Sequence, residues 1–286
     1  LHKEYRRQRQ MCIRDRAMLE RIAEQTKTIG LGLKIQGCFN IQFAIQGDDL
    51  YVLEVNPRSS RTVPFVAKAS GLPLARIAAR ITIGQPLSQQ EIPRRTSGQV
   101  CVKAPVFPFI KFPGVDPLLG PEMKSTGEVM GIGMTFGEAY RKAQRATGLL
   151  IPASGTALIS VRTADQGSVI DIARYLSDNG FSLEATEGTA HALSRAGLKA
   201  RIVNKVSEGR PHVVDNIKNG EYDLIVNTTA SQHSRQDSET IRRQALTHKV
   251  TYFTTLAAAR AACEAHRVGN DHSVNRLQTL HETVRQ

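Results

Sequence analysis

Apolar residues recur at helical spacing from Ala17 to about Leu33 (Met18, Ile22, Ala23, Ile29, Leu33), which predicts one amphipathic helix. The period then drops to two. Residues 39–45 and 50–55 predict two strands joined by a turn at Gln46-Gly47-Asp48-Asp49. Val63 to Ser70, closed by Gly71, and Leu74 to Ile83, closed by Gly84, predict short helices. Pro- and Gly-rich sequence follows over 85–125, with a strand at Gln99 to Lys103, then a helix from Phe136 to about Thr147. The loose stretch Gly148 to Ser154 is the expected domain boundary. Beyond it the rhythm changes: strands at 157–161, 181–186, 201–206, 222–227 and 250–253 alternate with helices at 168–178, 189–196, 213–218, 238–246 and 256–265. Five βα units of this length predict a doubly wound parallel five-stranded sheet, so the class is α/β, with antiparallel strands in the first half.

Composition narrows the partners. A length of 286 residues fits two domains, and 41% hydrophobic with 22% charged residues is ordinary for a globular protein. No apolar run suggests a membrane span. The four cysteines, Cys12, Cys38, Cys101 and Cys263, form no CxxC pair, which argues against a zinc ribbon or disulfide scaffold and favours the cytoplasm; Cys263 is expected to be a packing residue. The net charge of +12 is uneven, because Lys3, Arg6, Arg7, Arg9, Arg14 and Arg16 all fall in the first sixteen residues. That segment has no signal-peptide features and does not match the rest, so residues 1–16 are expected to be a non-native leader. The remaining charge is thin and lacks aromatic interleaving, which points to anionic small molecules rather than nucleic acid. The histidines His191, His212, His233 and His248 lack metal spacing and are expected on surfaces or helices.

The stretch YVLEVNPRSSRTVPF places Glu54 and Asn56 in a strand that Pro57 ends. A turn centred near Asp48 sets Gln42 opposite Glu54, with Asn56 on the same face and Ile41, Phe43, Leu53 and Val55 directed to a core. Two descriptions fit this spacing. The three polar residues are either the solvated face of a half-exposed hairpin or a hard-oxygen set for Mg²⁺, with Arg58 and Arg61 holding further anionic oxygens. In the second half, Thr186-Glu187-Gly188-Thr189, Lys205, Asn227-Thr228-Thr229 and Thr254-Thr255 fall at the carboxyl ends of strands, where ligands of such sheets collect. Any one threonine taken singly is better read as a helix cap, whereas the group with Lys205 and Asn227 makes a phosphate cradle.

NIQFA followed by YVLEVNPRSSRTVPFVAKASG resembles the metal-binding hairpin of the ATP-grasp fold, in the second synthetase half of the carbamoyl phosphate synthetase large subunit. KFPGVDPLLGPEMKSTGEVMGIG resembles the same family, and GFSLEATEGTA, VNKVSEGRPH and IKNGEYDLIVNTT resemble its terminal regulatory domain, so the likeness runs from about Ala17 to the end. The resemblance implies a partial ATP-grasp unit over 17–147 and a methylglyoxal-synthase-like allosteric domain over 148–286. It implies a ligase of the pyrimidine and arginine pathways in which bicarbonate is phosphorylated, ammonia from a glutaminase small subunit gives carbamate, and ATP phosphorylates carbamate. Gln42, Glu54 and Asn56 would then ligate Mg²⁺ or Mn²⁺ against ATP, and Arg58 and Arg61 would stabilise the transferring phosphoryl group. Thr186, Thr189, Lys205, Asn227, Thr229 and Thr254 would contact the phosphate of a nucleotide monophosphate effector.

Much of that family's sequence has no counterpart here, so an inactive carboxy-terminal fragment of an oligomeric parent is expected. Two positions depart from the family: Gln166 stands where a phosphate-pocket lysine is expected, and Ala104 where an acidic residue associated with ornithine control is expected. Other classes remain. A methylglyoxal synthase-like lyase would need a proton-abstracting carboxylate, which the strand end Asn227 to Ser231 does not supply. A stand-alone nucleotide-binding regulatory module would use only the second half, and a nucleic-acid binder would rest on the leader.

Overall fold

The computed structural model describes residues 2–92, 98–112, 117, 123–228, 232–269 and 274–279, with side chains omitted for 2–15, 110 and 232–236. The chain divides into two compact units, Leu1–Ser97 with Asn275–Gln286, and Gly98–Val274. The division thus falls fifty residues before the Gly148–Ser154 stretch.

In the first unit, helix α1 (His2–Gly32) is followed by the antiparallel strands β1 (Asn40–Gln46) and β2 (Asp49–Asn56) and by helices α2 (Thr62–Ser70) and α3 (Leu74–Thr82). The first helix starts at His2 rather than Ala17, so no break separates the basic leader from the amphipathic segment. Asn40 pairs with Asn56, Ile41 with Val55 and Gln42 with Glu54, as the alternation requires; the register then shifts, and Phe43 pairs with Val52. Leu53 is the extra residue of this bulge and lies 60% exposed instead of pointing into a core. Ile41, Phe43 and Val55 are only half-buried. Helix α2 ends where expected, on Gly71 in the left-handed region at φ 67°.

The second unit opens with the antiparallel pair β3 (Val100–Val106) and β4 (Gly127–Gly133), followed by α4 (Phe136–Ala146). A Cβ on Gly131 would lie 1.9 Å from the carbonyl oxygen of Ala139, so glycine lets α4 rest directly on β4. Gly137 does the same against α9, where a Cβ would lie 2.5 Å from the carbonyl oxygen of Glu264. That helix pair is why residues 98–147 compact with the following sheet rather than with the preceding hairpin.

The sheet is parallel, in the order β7-β6-β5-β8-β9, from strands β5 (Gly155–Ser160), β6 (Phe181–Thr186), β7 (Arg201–Val203), β8 (Leu224–Asn227) and β9 (Thr251–Phe253). Its helices are α5 (Gln166–Asp178), α6 (Glu187–Arg195), α7 (Val213–Lys218), α8 (Gln232–Thr247) and α9 (Leu256–Arg267). One face packs Ala157, Ile159, Leu183 and Val226 with Ile172, Leu176, Leu193 and Ala259 from α5, α6 and α9. The other packs Leu158 and Ile225 with Val213, Ile217, Ile241 and Ala245 from α7 and α8. A sheet covered on both faces needs strands apolar at successive positions, which ALI at 157–159 and LIV at 224–226 supply. Cys263 belongs to the first core, and burial pushes its thiol up to about 11. His212 is 7% exposed, and its Nδ1 accepts from the Asp215 N–H at 3.3 Å to cap α7, so it is a buried cap rather than a surface residue.

Candidate functional site

On the hairpin, Gln42 and Glu54 are direct cross-strand partners and Asn56 follows two residues on, so all three share one face. The bulge sets this pairing, since the register at the turn, Gln46 with Asp49 through Phe43 with Val52, would by itself bring Leu53 opposite Gln42. Asn56 Nδ2 donates to Glu54 Oε1 at 3.0 Å. This bond sets the amide nitrogen of Asn56, rather than its oxygen, against the carboxylate; the amide turned over would present its oxygen there. An all-oxygen set with one carboxylate suits a hard divalent cation that keeps water and phosphate oxygens in its shell. No group of three or more His, Cys, Asp or Glu side chains that could hold a metal occurs among the described residues. Past Pro57, the Arg58 N–H donates to the carbonyl of Asn56 at 2.8 Å, turning the chain directly after the strand. Arg58 Nη1 donates to the Ser59 carbonyl at 3.3 Å, and Arg61 stands at the start of α2. Both arginines therefore follow the polar face within one tight turn.

In the second unit β5 lies between β6 and β8, and chain order runs outward from it in both directions, which makes its carboxyl end the switch point of the sheet. Three expected residues meet there. Thr186, at the end of β6, donates to Ser160 Oγ at 3.2 Å and makes no capping bond to α6. Thr189, 1% exposed, accepts from the Val161 N–H at 3.2 Å and approaches the Val161 carbonyl at 3.4 Å. Asn227, 4% exposed, donates from Nδ2 to the Ser160 carbonyl at 3.2 Å, while its buried Oδ1 has no partner among the described residues. That orphaned acceptor matches a hydroxyl or N–H of a bound ligand.

The other three expected positions fall differently. Lys205 lies beyond β7, and its Nζ is held by Glu208 Oε1 at 3.0 Å, so its charge is locally matched. Thr254 is half-buried after β9, and its neighbour Thr255 is the residue that caps α9, accepting from the Ala258 N–H at 3.2 Å. Thr229 lies outside the described residues. Gln166, the first residue of α5, reaches Gly188 of α6 and so faces the same crevice.

Sequence reasoning missed the carboxylate of this crevice. Asp165 Oδ2 accepts from Arg162 Nε at 2.8 Å and from Thr228 Oγ1 at 2.7 Å, and the Arg162 N–H donates to Thr228 Oγ1 at 3.2 Å. The bond from Arg162 chiefly holds the Asp165 carboxyl below its usual range; burial opposes this and Thr228 adds to it. An acidic residue just before a helix normally signals an N-cap, and Asp165 occupies that position on α5 without making the capping bond. Elsewhere, a concavity of about 300 Å³ along β7 is lined by Arg201, Asn204, Asn216 and Glu221. Arg201 is bonded there to both Glu184 and Glu221, so it offers no unmatched cation to an anion.

The polar hairpin and the doubly wound sheet each overlap a segment that matches a family model. Residues 12–90 match the family model "Carbamoyl-phosphate synthase L chain, ATP binding domain", and residues 168–254 match "MGS-like domain". The chain is 54% identical over 263 residues to the carbamoyl phosphate synthase large chain of Pseudomonas syringae, covering 92% of this chain and 24% of the relative. It is 51% identical over 267 residues to that of Vibrio cholerae, covering 93% of this chain and 25% of the relative. The chain belongs to the family of carbamoyl phosphate synthase large chains, and it spans about a quarter of the length of the curated relatives it matches. No helix among the described residues is long and apolar enough to cross a membrane.

Proposed function

We propose that the chain supplies part of the carbamate-phosphorylating site of a carbamoyl phosphate synthase, together with a nucleotide effector domain. In this reading Gln42, Glu54 and Asn56 hold Mg²⁺ or Mn²⁺ against the phosphates of ATP. Bound there, the ion would neutralise phosphate oxygens during transfer. Glu54 carries the anionic charge of the set, and Asn56, bonded to it through Nδ2, would present its amide oxygen to the ion once that amide turns over. Arg58 and Arg61, one turn downstream, supply donors for the transferring phosphoryl group or its acceptor. The substrates would be ATP and carbamate derived from bicarbonate, with ammonia from a glutaminase subunit, in an oligomeric cytoplasmic enzyme serving pyrimidine and arginine synthesis. In the second unit, Thr186, Thr189, Lys205, Asn227, Thr229 and Thr254 form the surroundings of a nucleoside monophosphate such as uridine or inosine monophosphate. Asp165 favours an effector over lyase chemistry, because a carboxyl held below its usual range is a poor base at neutral pH.

The observation that carries the reading is the alignment of all three oxygen-bearing side chains on one hairpin face, within a segment matching an ATP-binding domain. Its test is Glu54→Gln in a full-length large chain carrying this segment. Carbamate phosphorylation should fall more than about 100-fold, since even outer-shell partners of a metal are worth 10- to 100-fold. Mn²⁺ binding to the 286-residue chain, followed by water-proton relaxation, should weaken in parallel. Undiminished phosphorylation together with unchanged Mn²⁺ binding would remove the proposed role of the hairpin.

A further inference from the structure

We propose that Asp165 is the positioning residue of the effector crevice: its carboxylate clamps the turn after β5 to the end of β8 through Thr228 and Arg162. This rests on the reading of that crevice as an anion pocket. The two banks of the crevice come from distant parts of the chain, Asp165 and Thr228 being 63 residues apart. A ligand seated at a switch point takes its donors from both banks, so their separation must be set before it arrives. Loops that fluctuate would each have to be ordered at the expense of affinity.

Three bonds close the clamp. Asp165 accepts from the Thr228 hydroxyl at 2.7 Å and from Arg162 Nε at 2.8 Å, and Thr228 in turn accepts from the Arg162 backbone N–H at 3.2 Å. Thr228 is 8% exposed, so its end of the linkage is shielded from competing water, whereas the Arg162–Asp165 bond lies exposed. The carboxylate reaches this position only because it does not cap α5, although it stands at the N-cap. The N–H of Gln166 is bonded instead to the carbonyl of Thr163, in the tight turn that leads into α5. Arg162 matches the negative charge of Asp165, which limits its repulsion of an incoming anion. Asn227, the residue before Thr228, carries the buried and unpartnered Oδ1, so the end of β8 that the clamp fixes is the part of the crevice with an unmet polar group.

The experiment is calorimetric titration of the whole chain with uridine monophosphate and with inorganic phosphate, alongside thermal melts of every variant. Asp165→Asn and Thr228→Val should each bind about tenfold more weakly, the scale of one charge-assisted hydrogen bond. Thr228→Ser, which keeps the hydroxyl, should bind like the wild type. The double variant should bind no more weakly than the weaker single variant, because both changes cut one linkage. Wild-type binding with unchanged affinity in both single variants, or losses that add in the double variant, would overturn the clamp and leave the pocket standing. A wild-type chain that binds neither probe would overturn the pocket, and the clamp with it.

Discussion

Thr189→Val tests whether the threonines of the second unit hold the fold, the ligand or both. Valine keeps the branched shape and removes the hydroxyl from a side chain that is 1% exposed. That hydroxyl lies 3.2 Å from the backbone nitrogen of Val161 and 3.4 Å from its oxygen, and Val161 is itself 9% exposed. The carbonyl bond is long and contributes the lesser part. The N–H is the decisive group, since a buried donor left without a partner costs about 1–3 kcal/mol. Removing the hydroxyl also ends its own desolvation cost, which trims the effect to about 2 kcal/mol. For a unit of this size that corresponds to a Tm lower by roughly 4–8 °C. Thr189→Ser should recover most of the difference. The assay is a thermal melt followed by circular dichroism in the far and near ultraviolet. A valine variant that melts with the wild type would show that Val161 finds another partner and that the hydroxyl is no strut.

Two further outcomes concern α4. Gly131→Ala should destabilise the chain by about 3 kcal/mol, because the added methyl meets helix backbone rather than a yielding side chain. Gly127→Ala on the same strand, with nothing within 4 Å, should be neutral in urea unfolding, and equal midpoints for the two would refute the contact. Glu138 accepts from Lys142 Nζ at 2.9 Å and from the Met134 N–H at 2.8 Å, and these bonds, Lys142 first, lower its pKa. A carboxyl lowered in the fold contributes stability above its unfolded value of about 4.3 and loses it as pH falls through the folded value. Glu138→Gln should therefore lose less stability than the wild type as pH drops below about 4.3, and identical acid profiles in urea titrations would count against a stabilising role for these two bonds.

The alternation of strand and helix in the second half was legible because each strand is a short apolar run bounded by glycine or polar turns. Phe181–Thr186 and Val213–Lys218 fall where the pattern places them. Strand β7 is shorter than the expected strand at 201–206, ending at Val203 before the tight turn Val206–Glu208, because Asn204 bridges to His212 instead of continuing the strand. β4 was not anticipated: it has glycine at three of seven positions, Gly127, Gly131 and Gly133, and the last two serve the close approach of α4 rather than strand propensity. In the hairpin, pairing by alternation placed Gln42 opposite Glu54, yet nothing in a period of two announces an inserted residue, so the exposure of Leu53 was invisible. Asp165 escaped for a related reason. Its local sequence signals a cap, and only the distant Thr228 redirects the side chain.

The placement of β5 in the middle of its sheet bears on how the chain is made. This strand leaves the ribosome before any of its four sheet neighbours. Ser160 then waits 26 residues for Thr186 on one side and 67 for Asn227 on the other. Until β8 arrives, this central strand has one unpaired border open to other nascent chains, and closure depends on a contact between remote segments, which is intrinsically slow.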